Sequence, residues 1–291
     1  MRRNATLVAN GSVVAYIRIM QTSLHIMALV SALNEEAVAG RILSAEFYKK
    51  ERAVYFFIKG DKKRQALGFR YHPAGSGVFL VPASKIRMET REKPRPLFGL
   101  DDAVIVKVEQ LGFDRIFSLT LEQSGVTSML LCEALGPNGN IWHLDESLGR
   151  LASLRKKSFT SGTRYEPPPP PDRIDPRALS VESLRARFAE APETALARFV
   201  EKNLQGFSRT LALETVTRAD CVDLTTESCD DSSCERLITQ VKETVDRFSR
   251  PLGGFLYDAS RAVEVFPFRL KTASDTPSKF KTLSLATLAM C

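Results

Sequence analysis

The sequence predicts an α+β fold: a leading helix, two antiparallel sheet groups and then a helical hairpin domain. Two series of short β-branched and aromatic runs are separated by polar turns too short for a crossover, so successive strands pair antiparallel. Five prolines, Pro167 to Pro171, then divide these strands from a region whose apolar residues recur at helical spacing. At 291 residues the chain can bury the cores of two domains.

Residues 22–39 read as the opening helix. Thr22 or Ser23 can cap it, Ile26, Leu29, Val30 and Leu33 lie at helical spacing, and Gly40 ends it. The first strand group runs through Arg41 to Tyr48, Ala53 to Lys59, Gln65 to Tyr71 and Val78 to Val81. Its turns, 49–52 and 60–64, are rich in lysine and arginine. The charged stretch from Lys85 to Pro96 is expected to be a loop or short helix, since Pro94 and Pro96 break regular structure. The second group comprises Val104 to Gln110, Arg115 to Glu122, Thr127 to Ala134 and Asn140 to Leu144. The glycine-rich Gly136 to Asn140 is read as a turn, because no helix follows it to complete a phosphate loop.

Residues 161–178 are the expected linker, in which the proline run favours extended polyproline conformation. Beyond it, Ser180 caps a helix carrying Leu184 and Phe188. A second helix, opened by Pro192, carries Leu196, Phe199, Val200 and Leu204 and stops at Gln205-Gly206-Phe207-Ser208, after which a helix restarts at once. Such a tight glycine turn can bring backbone amides to a nucleic-acid phosphate, which makes Gly206, Phe207 and Ser208 candidate contacts; an ordinary helical corner has the same pattern. The loop from Asp220 to Glu235 holds six acids and no base, so it should face away from polyanions. A last amphipathic helix spans 236–249, and 251–291 adds a hairpin and a tail.

The net charge of +7 is unevenly placed. Residues 40–96 hold 14 Lys plus Arg against 5 Asp plus Glu, a local excess of +9. A surface of that kind attracts polyanions by releasing their counterions, and Lys62, Lys63 and Arg64 form its densest cluster. Basic turns also serve simply to discourage strand-edge pairing. The five cysteines, Cys132, Cys221, Cys229, Cys234 and Cys291, form no compact framework and suggest reduced thiols in the cytoplasm. Their spacing, with no Cys-x-x-Cys and the three histidines remote, argues against a metal site. No apolar stretch approaches the roughly 20 residues of a membrane helix.

Asp114 and Arg115 stand side by side between two core strands, after the chain break at Gly112. Such a pair is either a structural ion pair at a strand end or a polar element held on a rigid sheet edge. Four groups of residues recur here in a familiar order. They are Thr22-Ser23-Leu24-His25-Ile26-Met27-Ala28-Leu29-Val30 leading to Gly40-Arg41-Ile42, then Leu111-Gly112-Phe113-Asp114-Arg115, then Gly136-Pro137-Asn138-Gly139-Asn140, and last Tyr165-Glu166-Pro167-Pro168. Together they resemble the amino-terminal module and helical hairpins of the NFACT family, to which the RqcH and NEMF proteins belong. The likeness covers about residues 20–291.

The resemblance implies a glycosylase-like α+β domain over 20–160, a linker over 161–178, a helical domain over 179–250 and a tail segment over 251–291. It matches the family's start to Met20, so residues 1–19 are expected to be an extension. It implies a cytoplasmic, non-enzymatic role in ribosome-associated quality control: binding alanyl-tRNA and the obstructed large ribosomal subunit with its peptidyl-tRNA, in support of carboxy-terminal alanine tailing. No cofactor is implied. Asp114 and Arg115 match the family's tRNA-recognition pair, whereas the Arg-His pair usual in the glycine hairpin is replaced by Pro137 and Asn138. The family's coiled coil and second RNA-binding domain do not appear in this sequence, so the chain is expected to be a fragment or a short member. Two alternatives remain. One is a DNA-binding, glycosylase-like enzyme, although the proline nucleophile of formamidopyrimidine-DNA glycosylase is replaced by Arg2 or Gln21 and zinc-finger cysteines are lacking. The other is a fibronectin-binding adhesin.

If residues 40–96 form an electrostatic footprint, RNA affinity should fall steeply with salt. Reversing the charge of Lys62, Lys63 and Arg64 together should then flatten the log–log slope by roughly 0.7–0.9 for each phosphate no longer neutralised. Filter binding across a salt series measures this, and an unchanged slope would assign these bases to solubility.

Overall fold

The computed structural model describes residues 21–60, 63–72, 75–86, 92–155, 160–251, 253–259 and 262–291. Residues 1–19 and Lys62 therefore lie outside the described residues. Helix α1 (Ser23–Glu36) leads into β1 (Arg41–Tyr48), β2 (Ala53–Lys59), β3 (Arg64–His72) and β4 (Gly75–Pro82). A short β5 (Arg95–Pro96) precedes β6 (Val104–Gln110), β7 (Ile116–Gln123), β8 (Val126–Glu133), β9 (Asn140–Asp145) and β10 (Arg150–Ser153). Four helices follow: α2 (Val181–Ala189), α3 (Leu196–Asn203), α4 (Arg209–Arg218) and α5 (Asp231–Ser249). The chain closes with β11 (Gly254–Ala259), β12 (Ala262–Phe266), β13 (Ser278–Phe280) and α6 (Leu283–Met290).

The two expected strand groups meet along one seam. Strand order is β10-β9-β8-β7-β6-β1-β2-β3-β4, with β5 paired to β1, and all pairs are antiparallel. At the seam Arg41 pairs with Val104, and the flanking backbone bonds Ile105 N–H to Gly40 O (2.9 Å) and Ile42 N–H to Ala103 O (2.8 Å) stitch the groups into a single sheet. The short turns read from the sequence set each pairing within a group. The long connection between β4 and β6 does not separate the groups, because Leu100, Ala103 and Ile105 enter the same core as Ile42 and Ile58.

The first half of helix α1 buries residues all round its axis, while Ser31, Asn34, Glu35 and Glu36 in its second half are exposed. Ile26, Leu29 and Leu33 pack into the sheet core with Val54, Phe56 and Phe117. Leu24 and Ala28 belong to a second core with Phe113, Phe199, Leu211, Val241 and Phe248, built mainly by α2 to α5. The periodicity of Ile26, Leu29, Val30 and Leu33 correctly signals a helix, but the helix serves two cores. A helix apolar on several sides is an interior element, not a surface one.

His25 fixes the start of α1. Its Nδ1 accepts the Thr22 N–H at 3.1 Å and faces the Thr22 hydroxyl at 3.0 Å, while Nε2 reaches the Val265 carbonyl at 2.7 Å. These partners require the neutral ring with its proton on Nε2. The ring also meets Phe248 edge-on at 5.1 Å. The helix is thereby capped and tied to β12, 240 residues away in the chain.

Two further elements differ from the sequence expectations. Helix α5 begins at Asp231, inside the acidic stretch, because Asp230 accepts the Ser233 N–H at 2.8 Å as an N-cap. An acid there also meets the positive end of the helix dipole. The carboxy-terminal tail forms α6, capped by Thr282 and packed on β4, β11 and β12. Glu214, buried on α4, accepts the N–H groups of Lys271 (2.9 Å) and Thr272 (2.9 Å) and the Thr272 hydroxyl (2.9 Å), beside Arg218. Burial alone would raise its pKa, yet these donors hold it below the usual carboxylate range. No described helix is long and apolar enough to cross a membrane.

Burial lowers the pKa of His25 to about 4 from 6.5, against the opposing bond to Val265. His143, lowered by burial, acts in the same direction. Between those limits the unfolded chain binds a proton that the native state excludes, so this contribution to stability is complete above 6.5 and is lost as pH falls toward 4. Unfolding free energy from urea titrations should therefore fall between pH 7.5 and 5, with His25 alone contributing about 2 kcal/mol of that loss at pH 5. His25→Gln should show a shallower slope by about one proton at most. Equal slopes would mean that the native protein accommodates a charged ring.

Candidate nucleic-acid interface

Asp114 and Arg115 sit on the turn between β6 and β7. Gly112 takes a φ of +58°, which reverses the chain, and Phe113 turns inward into the helical core. The turn is closed by Leu111 N–H to Ile116 O (2.9 Å), and the Gln110 side-chain amide donates both to Asp114 O (2.6 Å) and to Ser23 O (3.0 Å). One glutamine thus fixes the Asp–Arg turn against the first turn of α1. Sequence reasoning started β7 at Arg115; the strand begins at Ile116, leaving both charged residues on the turn.

The two charges do not pair with one another. Asp114 Oδ1 accepts the backbone N–H of Arg115 at 2.6 Å, and among the described residues no ion pair is formed by the Asp114 carboxylate or the Arg115 guanidinium. Both are half-buried. A structural strand-end ion pair would have shown side-chain contact. The Arg115 guanidinium, with its five donors, is thus left without an ion-pair partner among the described residues.

A cleft of about 320 Å³ opens at this turn. Its walls come from four separated parts of the chain: Gln21, Thr22 and Ser23 at the start of α1, Asp114 and Arg115, then Pro171 and Arg173, and finally Gln205, Gly206 and Phe207 between α3 and α4. The last two walls are joined by Ile174 N–H to Asn203 O (2.8 Å) and Gln205 N–H to Ile174 O (2.9 Å). The linker is therefore clamped where it enters the helical region. Arg177 forks onto Asp175 and lies over the Phe113 ring, 4.7 Å from its centre.

Gly206 controls how closely these walls approach. Its φ is +88°, and a Cβ there would stand 2.8 Å from Ser23 Oγ, 3.1 Å from Leu24 Cγ and 3.3 Å from Phe113 Cε1. Ser23 is buried, and its hydroxyl has no hydrogen-bond partner.

The candidates named from sequence divide. Asp114, Arg115, Gly206 and Phe207 share the cleft, although Phe207 is mostly core. Ser208 is used as a helix cap, accepting the Leu211 N–H at 3.3 Å. Lys63 pairs with Glu36 (3.3 Å) at the far end of α1, roughly 20 Å from the cleft by helix rise. Arg64 is exposed beside it, at the start of β3. Arg173, Gln205 and Gln21 also line the cleft but are not among the candidate contacts of the sequence, since nothing in the local sequence relates them to Asp114. Among the described residues no group of His, Cys, Asp and Glu could hold a metal ion, and all five cysteines are free thiols.

A family model described as NFACT N-terminal and middle domains matches residues 22–288. No curated protein matches the sequence. The fold is similar to the amino-terminal part of the fibronectin/fibrinogen-binding protein of Streptococcus suis, at 17% identity and a TM-score of 0.68, covering 91% of this chain and 96% of that one. It is similar also to a fibrinogen-binding protein of Staphylococcus aureus (17% identity, TM-score 0.69). The amino-terminal domain of the fibronectin-binding protein PavA of Streptococcus pneumoniae aligns at 20% identity with a TM-score of 0.54. Each of these two alignments again covers 91% of this chain and 96% of the other.

Gly206→Ala should cost about 1–2 kcal/mol for the left-handed backbone and about 1–3 kcal/mol more for displacing Ser23, Leu24 and Phe113. Gly112→Ala has a similar φ but open space around it, so it should lose the backbone part alone. Urea unfolding of both variants checks this; equal losses would show that the Gly206 contact is slack.

Proposed function

The chain belongs to the NFACT family, and from that premise we propose that it binds tRNA in ribosome-associated quality control, through the face that carries Asp114 and Arg115. Its partners in this reading are alanyl-tRNA and an obstructed large ribosomal subunit still holding peptidyl-tRNA, its place is the cytoplasm, and its effect is to support alanine tailing of the stalled chain. The observation that carries the reading is the cleft. An arginine without an ion-pair partner among the described residues, a second arginine at 173 and the glycine turn at 206 converge from distant parts of the sequence.

That constellation suits recognition. A guanidinium can fork onto a phosphate or a base edge, while the spare oxygen of Asp114 can accept a base or ribose donor. The hydroxyl–imidazole pair beside the cleft, Thr22 and His25, is engaged in capping α1. Its ring also accepts a backbone N–H and is a weak base in its buried setting. These features support a binding protein over a hydrolase. The names of the similar structures record fibronectin and fibrinogen binding for those proteins, so the same assays should include fibronectin.

Arg115→Ala should lose about 1–3 kcal/mol of tRNA affinity, the range of a specific bidentate contact. Asp114→Ala should weaken binding as well. Because the two side chains do not bridge, both variants should unfold within a few degrees of wild type. Parallel measurements of thermal unfolding and tRNA binding check this, with fibronectin binding and base excision from damaged duplex DNA as companion assays of the wild type. Unchanged tRNA affinity in folded variants would end the reading. Excision by wild type would point to an enzyme, and tight fibronectin binding without tRNA binding to an adhesin.

A further inference from the structure

We propose that the cleft holds one phosphate group at the amino terminus of α1, with Ser23, Arg115 and Arg173 as its donors. This deepens the tRNA reading above and rests on it for the identity of the larger ligand. The first turn of any helix leaves N–H groups without intrahelical acceptors. Here Thr22 N–H is taken by His25, whereas the N–H groups of Ser23 and Leu24, at the first two helical positions, have no acceptor within the helix. The positive end of a helix of 14 residues therefore points to the place where Arg115 and Arg173 stand.

A second, independent feature marks the same point. Ser23 is 2% exposed, lines the cleft and has a hydroxyl with no partner. A serine buried for packing alone leaves a polar atom unsatisfied, which alanine would avoid. The hydroxyl lies under Gly206, at the one residue of the α3–α4 turn that has no side chain to block it. A phosphate oxygen seated against the first turn supplies the missing acceptor once the Gly206 turn yields slightly. Charge in the cleft favours this: two arginines and the helix end outweigh the single carboxylate of Asp114. Asp114 is turned toward the Arg115 N–H, which moderates its repulsion of the anion.

The phosphate is either internal to an RNA strand or terminal, and the test separates these sources. Ser23→Ala is compared with wild type for thermal stability and for tRNA binding. The variant should be at least as stable as wild type, since it removes an unsatisfied hydroxyl, yet bind tRNA about tenfold more weakly, the effect of removing roughly one hydrogen bond to a charged group. Its salt slope should be unchanged, whereas Arg173→Gln should reduce that slope by about the share of one phosphate. Removing the tRNA 5′-phosphate should leave wild-type affinity unaltered if the phosphate is internal, and lower it to the Ser23→Ala level if terminal. Inorganic phosphate should raise the wild-type melting temperature above that in chloride of equal ionic strength, and should do so less in Ser23→Ala. If wild type binds no tRNA but shows this phosphate effect, the tRNA reading fails and the anion site stands. Equal tRNA affinity and equal phosphate response in wild type and Ser23→Ala overturn the site.

Discussion

The structure depends on the close approach of Gly206 to the first turn of α1. Without a Cβ at that position, the corner between α3 and α4 settles onto Ser23, Leu24 and Phe113. The helical region and the sheet then share α1, which contributes Leu24 to one core and Ile26, Leu29 and Leu33 to the other. Packing of this density transmits strain with little relaxation. A longer side chain at 206 would therefore disturb the relation of sheet to helices as well as one turn.

The same contact composes the cleft. Asp114 and Arg115 are held by Gln110 against the Ser23 carbonyl, and the 171–174 segment is held by its backbone bonds to Asn203 and Gln205. Each wall is fixed by main-chain or amide hydrogen bonds, while the guanidinium groups of Arg115 and Arg173 form no ion pair among the described residues. Charges carried on walls held this way lose little conformational entropy on binding. Phe268 shows the contrasting use of arginine: Arg218 and Arg247 lie 5.4 Å and 5.2 Å from its ring centre, committing their charge to tertiary packing.

Much of this was legible in the sequence because the signals are local. The polar turns dictated antiparallel pairing, Ser180 and the Leu184–Phe188 spacing marked α2, and the glycine at 206 marked a tight corner. The joining of the two strand groups was not legible, since it rests on Arg41 and Val104, which are ordinary strand residues. Nor was the place of Arg173 in the cleft, whose relation to Asp114 exists only after the linker is clamped. The Asp114–Arg115 pair could be located but not interpreted: neighbours in sequence with opposite charge suggest an ion pair, and only the turn geometry shows the carboxylate bonded to a backbone N–H instead. Asp230 and Asp231, which the sequence places among solvated acids, begin a helix.

The bond from His25 to the Val265 carbonyl bears on how the chain is made. The imidazole waits for a partner 240 residues downstream, and at about 5–20 residues per second that stretch takes on the order of 10 to 50 seconds to synthesise. Throughout that interval α1 lacks its outer anchor and its second core is incomplete, so the early strands emerge without the helix that covers them settled in place. Completion of this fold is thus a late event in translation, and a nascent chain arrested before Val265 would present an unlatched α1 to the cell's chaperones and proteases.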